Sequence, residues 1–186
     1  MKPNQEFRLI CVFLVLLLLN ACTSGDRVHA ADEDRNKNSF SPAEEEFTKQ
    51  VTQMHLAEIE MARLAQQKSD DQDLQKYADM IIKDHMSSLV DLTDLTKDKN
   101  IPQEKSLSPE TQRDINRMSL LTGPDFDREF ANMMVSDHQK AILLFRDESK
   151  TAQNPDLKSY VDGMLPKLEK HLLKGQELQS RLFDRG

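Results

Sequence analysis

Four long stretches of this chain place apolar side chains three and four residues apart, and helices are the regular structure that can bury such a pattern on one side. The first runs from Ser41 to about Lys68 and carries Phe47, Val51, Met54, Met61 and Ala65. The second, from about Asp71 to Lys97, carries Leu74, Ala78, Ile81, Leu89 with Ser88 beside it, and Leu92. Phe126, Phe130, Met134, Ala141 and Phe145 line the third, from about Asp125 to Ala152. Leu157, Val161, Met164, Leu168 and Leu178 line the fourth, which follows Asn154-Pro155. Ser41-Pro42-Ala43-Glu44 is a helix start with an N-cap serine, proline at the first helical position and a glutamate placed to complete a capping box. Pro166 lies inside the fourth segment, where it removes one backbone bond and predicts a kink or a loosened turn before His171.

The connection between the second and third segments, residues 99 to 124, contains Pro102, Pro109 and Pro124 and a predicted short helix beginning at Ser108-Pro109. Antiparallel neighbours need only a few linking residues, whereas about 25 are enough to return along the full height of a bundle. The expected architecture over residues 41 to 183 is therefore all-α: a ferritin-like four-helix bundle with a long crossover that holds a short helix between helices 2 and 3.

Each apolar seam is interrupted once by an ionisable side chain near mid-helix: Glu58, His85, His138 and His171. With a crossover of this kind, all four fall roughly 13 to 22 Å from the same end of the bundle. Burying such groups costs several kcal/mol unless they satisfy one another or hold an ion. Two readings follow. One is a hydrogen-bonded network that specifies helix pairing; the other is a metal site, for which three imidazoles and a carboxylate suit zinc, iron, copper or manganese better than calcium or magnesium. His55, three residues before Glu58, stands at the edge of the stripe, where joining the site and partial exposure are both open. Asp84 and Asp137 precede His85 and His138, and adjacent helical residues point about 100° apart, so each orients a histidine of another helix or faces water. The methionines at core spacing, Met54, Met61, Met80, Met133, Met134 and Met164, read as packing residues. A short echo between Met80–His85 and Met133–His138 reflects two helices facing one core.

Residues 1 to 21 have the parts of a secretory signal: Lys2 and Arg8, an apolar run from Leu9 to Leu19, and small Ala21 before Cys22. That run is far shorter than the roughly 20 residues of a transmembrane helix. Leu19-Asn20-Ala21-Cys22 resembles the lipobox of bacterial lipoproteins, although Asn20 is a less usual occupant; the resemblance makes Cys22 the lipid attachment site and anchors the protein to a membrane without spanning it. Thr23, in place of aspartate, favours the outer membrane, so the expected location is the cell envelope, facing the periplasm. Cys11 leaves with the signal, so the mature chain has no thiol for a disulfide or a nucleophile. From residue 22 to 40 the chain is polar and nearly free of large apolar residues, which predicts a disordered tether; His29 sits within it, solvated and idle. The excised segment carries a net charge of +1, so the formal charge of −7 becomes −8, and with no basic stripe the protein lacks the means to bind nucleic acid.

Ala57-Glu58-Ile59, Tyr77-Ala78 with Met80 and Asp84-His85, Phe126-Asp127 with Phe130 and Asp137-His138, and Leu165-Pro166 with Leu168 and His171 together resemble exported bacterial ferritin-like proteins of the domain of unknown function 4142 family, which are described as outer-membrane proteins. The likeness covers about residues 43 to 181. It implies a four-helix ferritin-like bundle and no settled activity. Di-iron members of the ferritin-like class use Glu-x-x-His on two helices, and here His55-x-x-Glu58 runs in the reverse order, which speaks against oxygen-activating di-iron chemistry.

No nucleophile, phosphate loop or cofactor motif of a conventional enzyme is present. Two functions of different classes are expected. One is a metal-binding envelope lipoprotein concerned with metal or oxidative stress; the alternative is a non-enzymatic structural or interaction lipoprotein that pairs with a protein in the envelope.

Overall fold

The computed structural model describes residues 39–99, 101, 102 and 104–184. The predicted signal peptide, Cys22, His29 and the tether up to residue 38 lie outside the described residues. The described residues form five helices and no strand: α1 Pro42–Lys68, α2 Gln72–Thr96, α3 Pro109–Ser119, α4 Gly123–Thr151 and α5 Pro155–Asp184. Among them no helix is long and apolar enough to cross a membrane.

Local chemistry sets the helix ends. Ser41 Oγ accepts the Glu44 N–H and Glu44 Oε2 accepts the Ser41 N–H at 2.7 Å, completing the predicted capping box. The other oxygen of buried Glu44 accepts the N–H groups of Gln153 and Asn154 at 2.8 and 2.7 Å, so one carboxylate caps α1 and fixes the turn between α4 and α5. Burial alone would raise the Glu44 pKa, but these donors hold it below the usual glutamate range. Asn154 Oδ1 in turn accepts the N–H groups of Asp156 and Leu157 at the start of α5. α4 begins at Gly123, ahead of the predicted Asp125, because Gly123 takes φ 55° and lets the chain turn directly into Pro124.

α1 packs along α2 and α4 along α5; the two pairs meet through contacts of α2 with α5 and of α1 with α4. The apolar core falls into two clusters. One joins the C-terminal half of α1 to the N-terminal parts of α2 and α4 and the end of α5, through Met61, Ala65, Leu74, Ile81, Phe126, Phe130, Met134 and Leu178. The other is built from Phe47, Val51, Leu92, Phe145, Leu157, Val161, Met164 and Leu168. The connection after α2 starts in the second cluster with buried Ile101 and ends in the first with buried Met118. Gln53 pins it to α1, donating to Ser106 O and accepting from Ser108 N–H, both at 2.9 Å.

Two expectations are corrected. Phe40, expected in the tether, is buried in the second cluster, and the packed unit begins with it. Ser88 takes the buried seam position in α2 while Leu89 is half-buried; Ser88 Oγ donates to Met164 Sδ at 3.0 Å. Pro166 lies inside α5, which runs through it as one helix: the ring is exposed, and Met164 and Leu168 on either side of it are buried.

A candidate metal centre between the two cores

On every long helix the two apolar clusters are separated by a short gap, and the ionisable residues occupy it. His55 and Glu58 follow Val51 and precede Met61 on α1; His85 lies between Ile81 and Leu92 on α2. His138 lies between Met134 and Ala141 on α4, and His171 between Leu168 and Leu178 on α5. A polar layer thus crosses the bundle with hydrophobic packing above and below. His55, His85, His138 and His171 are each 0 % exposed and Glu58 is 4 % exposed.

The four predicted residues converge. Glu58 Oε2 lies 3.0 Å from His85 Nε2 and 3.4 Å from His138 Nε2. His171 Nδ1 lies 3.3 Å from both of those nitrogens. The four atoms therefore close a ring whose sides measure 3.0 to 3.4 Å. For metal–ligand bonds of about 2.1 Å, two donor atoms 90° apart are separated by about 3.0 Å and two at the tetrahedral angle by about 3.4 Å. The sides have the lengths expected between neighbouring donors around one ion; the atoms that all lie within 4.8 Å of one another belong to His85, His138 and His171, with Glu58 beside two of them.

What lies behind each ring decides where its protons are. His138 Nδ1 is 2.8 Å from the Met134 carbonyl, which can only accept, so Nδ1 carries the proton and a neutral His138 presents a lone pair at Nε2. His171 Nε2 is 3.0 Å from Asp84 Oδ2, so Nε2 donates and Nδ1 presents the lone pair. Behind His85, Nδ1 lies 2.9 Å from His55 Nδ1, and His55 Nε2 lies 2.7 Å from Tyr160 Oη. Buried Glu58 Oε2 has His85 Nε2 at 3.0 Å and His138 Nε2 at 3.4 Å as its neighbours in the layer. The lone pairs of His138 Nε2 and His171 Nδ1 therefore face each other at 3.3 Å, an arrangement that costs free energy unless something between them relieves it.

Burial pushes the Glu58 carboxyl up, but the attraction of His138 and His85 in their protonated forms outweighs burial and holds it well below the usual range. Burial pushes His171 down to about 4 against the lift from its bond to Asp84. Burial, reinforced by neighbouring His85, pushes His55 down to about 3. His55 and His171 are thus neutral imidazoles near pH 7.

Of the neighbouring aspartates, Asp84 orients a histidine on another helix, whereas Asp137 faces solvent and pairs with Lys140 at 2.9 Å. His55, open between site and surface in the sequence, is fully buried in the layer. Tyr160 went unnoticed: it sits next to Val161 in the seam pattern, and no local signal marks it as the partner of a histidine on α1. Met61, Met134 and Met164 are core residues, as their spacing indicates.

An all-helical bundle with three mutually facing buried histidines that could hold a metal defines the class of protein. The chain belongs to the family described as "Domain of unknown function (DUF4142)", whose model matches residues 29–178. The match extends back into the stretch read as a tether. Among solved structures the chain is similar to a crystal structure of a DUF305 fragment from Deinococcus radiodurans, with 16 % identity, a TM-score of 0.69, and coverage of 77 % of this chain and 99 % of that one; at this identity the likeness bears on the fold. No curated protein matches the chain.

Proposed function

We propose that this chain is a ferritin-like four-helix bundle lipoprotein of the bacterial envelope, attached at Cys22 to the outer membrane and facing the periplasm, that binds one transition metal ion through Glu58, His85, His138 and His171. The observation that carries the reading is the closed ring of one carboxylate oxygen and three imidazole nitrogens at 3.0 to 3.4 Å, in which acceptors behind His138 and His171 hold each ring's proton on the outward nitrogen. Neutral imidazoles with one carboxylate suit zinc, iron, copper and manganese. The absence of paired Glu-x-x-His motifs favours one ion over a di-iron pair. The reading is metal binding, in metal or oxidative stress.

The test is elemental analysis of the protein purified without a histidine tag, followed by chelation and titration with Zn²⁺, Mn²⁺, Fe²⁺ and Cu²⁺. One equivalent of a transition metal, lost on substituting Glu58 and His138 together, is the expected result. A chain that takes up none of these ions is instead a structural or interaction module whose polar layer sets helix pairing.

A further inference from the structure

The proposed centre has three imidazoles, and each needs its proton on the nitrogen facing away from the ion. For His138 that nitrogen meets a carbonyl and for His171 a carboxylate, both acceptors only. His85 differs. Its outward Nδ1 meets the Nδ1 of another histidine at 2.9 Å, and two facing imidazole nitrogens at this separation share one proton, carried by either ring. His55 then passes the choice on, because its Nε2 meets Tyr160 Oη at 2.7 Å and a phenol can donate or accept. Tyr160 is half-buried and borders a surface cleft of about 400 Å³ that Asp91, Ser88 and Lys167 also line.

On the basis of the metal reading above, we propose that His55 and Tyr160 are positioning residues for the centre: a reversible hydrogen-bond chain that sets the tautomer of His85 according to whether the site is filled. In the empty site the buried Glu58 carboxylate draws the His85 proton to Nε2, its nearest nitrogen at 3.0 Å. The chain then runs inward: Tyr160 O–H donates to His55 Nε2, His55 Nδ1–H to His85 Nδ1, and His85 Nε2–H faces Glu58. Filling the site requires the lone pair at His85 Nε2, and the chain reverses. The Nε2 proton leaves His85 for solvent, the His55 Nδ1 proton passes to His85 Nδ1, the Tyr160 proton passes to His55 Nε2, and the phenol is reprotonated from the cleft. The three groups hold the same number of protons before and after. Occupancy of a fully buried centre is thereby transmitted to the surface as a change of Tyr160 from donor to acceptor.

The reversal has a direct signature, since ¹⁵N shifts of histidine distinguish Nδ1–H from Nε2–H. The mature chain, ¹⁵N-labelled at histidine, is compared metal-free and with one equivalent of Zn²⁺. His55 is expected to change from the Nδ1–H to the Nε2–H tautomer while His138 stays Nδ1–H, and Tyr160→Phe is expected to weaken zinc binding about 10- to 100-fold, the usual effect of removing a partner behind a ligand. Zinc binding by the unaltered chain with His55 unmoved overturns the chain reversal alone. Unchanged zinc affinity in Tyr160→Phe overturns the positioning role, and failure of the unaltered chain to bind zinc overturns the metal reading and this one with it. Should Tyr160→Phe not fold, the tautomer measurement on the unaltered chain decides.

Discussion

His138→Ala separates a metal centre from a self-satisfied polar layer more sharply than any other single substitution. The His138 ring is fully buried, bonded through Nδ1 to the Met134 carbonyl at 2.8 Å, and its Nε2 forms two of the four sides of the donor ring. Without metal, the substitution removes one hydrogen bond and a neighbour of Glu58 and His171, costing about 1 to 3 kcal/mol. In a domain of this size that lowers Tm by about 2 to 12 °C. With free Zn²⁺ at about 100 times its Kd, the unaltered protein gains about 2.7 kcal/mol, a Tm rise of about 5 to 11 °C. Loss of a ligand weakens binding at least as much as loss of a partner behind one, about 100-fold, so at the same zinc concentration the variant gains about 0.4 kcal/mol and rises by less than about 2 °C. Calorimetric melts of both proteins, each with chelator and with Zn²⁺, provide the four values. If the variant retains the full zinc-induced rise, His138 is not a ligand; if neither protein responds, the layer is a network and the ring dimensions have misled.

Asp84→Asn should weaken zinc binding about 10- to 100-fold by loosening the orientation of His171, while Asp137→Asn, on an exposed residue paired with Lys140, should leave it unchanged; equal effects in a zinc titration would contradict the assigned roles. Gly175→Ala should destabilise by about 1 to 3 kcal/mol in denaturant melts, because the new Cβ would stand 3.0 Å from Tyr77 Oη, which donates to the His171 carbonyl. The metal-free protein should lose stability on acidification: His171 titrates at about 4 when folded against 6.5 ordinarily, so across that window the unfolded chain binds more protons, and a Tm that holds or rises from pH 6.5 to 4 would rule out a neutral buried His171. Cys22→Ala should abolish lipid labelling and leave unprocessed precursor; mature soluble protein cut near Ala30 or Ala31 would mean an ordinary signal.

The convergence of Glu58, His85, His138 and His171 was legible in the sequence because each is an ionisable residue on an otherwise apolar seam, and seam spacing is a property of one helix at a time. A connection of about 25 residues can return along the full height of a bundle, which would bring four mid-helix positions to one height. Chain-local rules reached less far elsewhere. Leu89 is the apolar choice for the α2 seam, yet Ser88 takes the buried position. Phe40 has only polar neighbours in sequence and still finds the core, since a single aromatic side chain gains about 1.5 to 3 kcal/mol by burial wherever the fold offers space.

The caps of the first and last helices, most seam residues and four members of the polar layer were legible in the sequence, because hydrogen bonds to neighbouring N–H groups and a 3.6-residue period depend on contacts a few residues apart. The partners behind the ligands were decided by tertiary structure. Asp84 reaches His171 across 87 residues of sequence, and His55 reaches Tyr160 across 105. Which side chains meet at those separations depends on the rotation of each helix about its own axis and its height against its neighbour, and the packing of two apolar clusters on either side of the layer sets both at once.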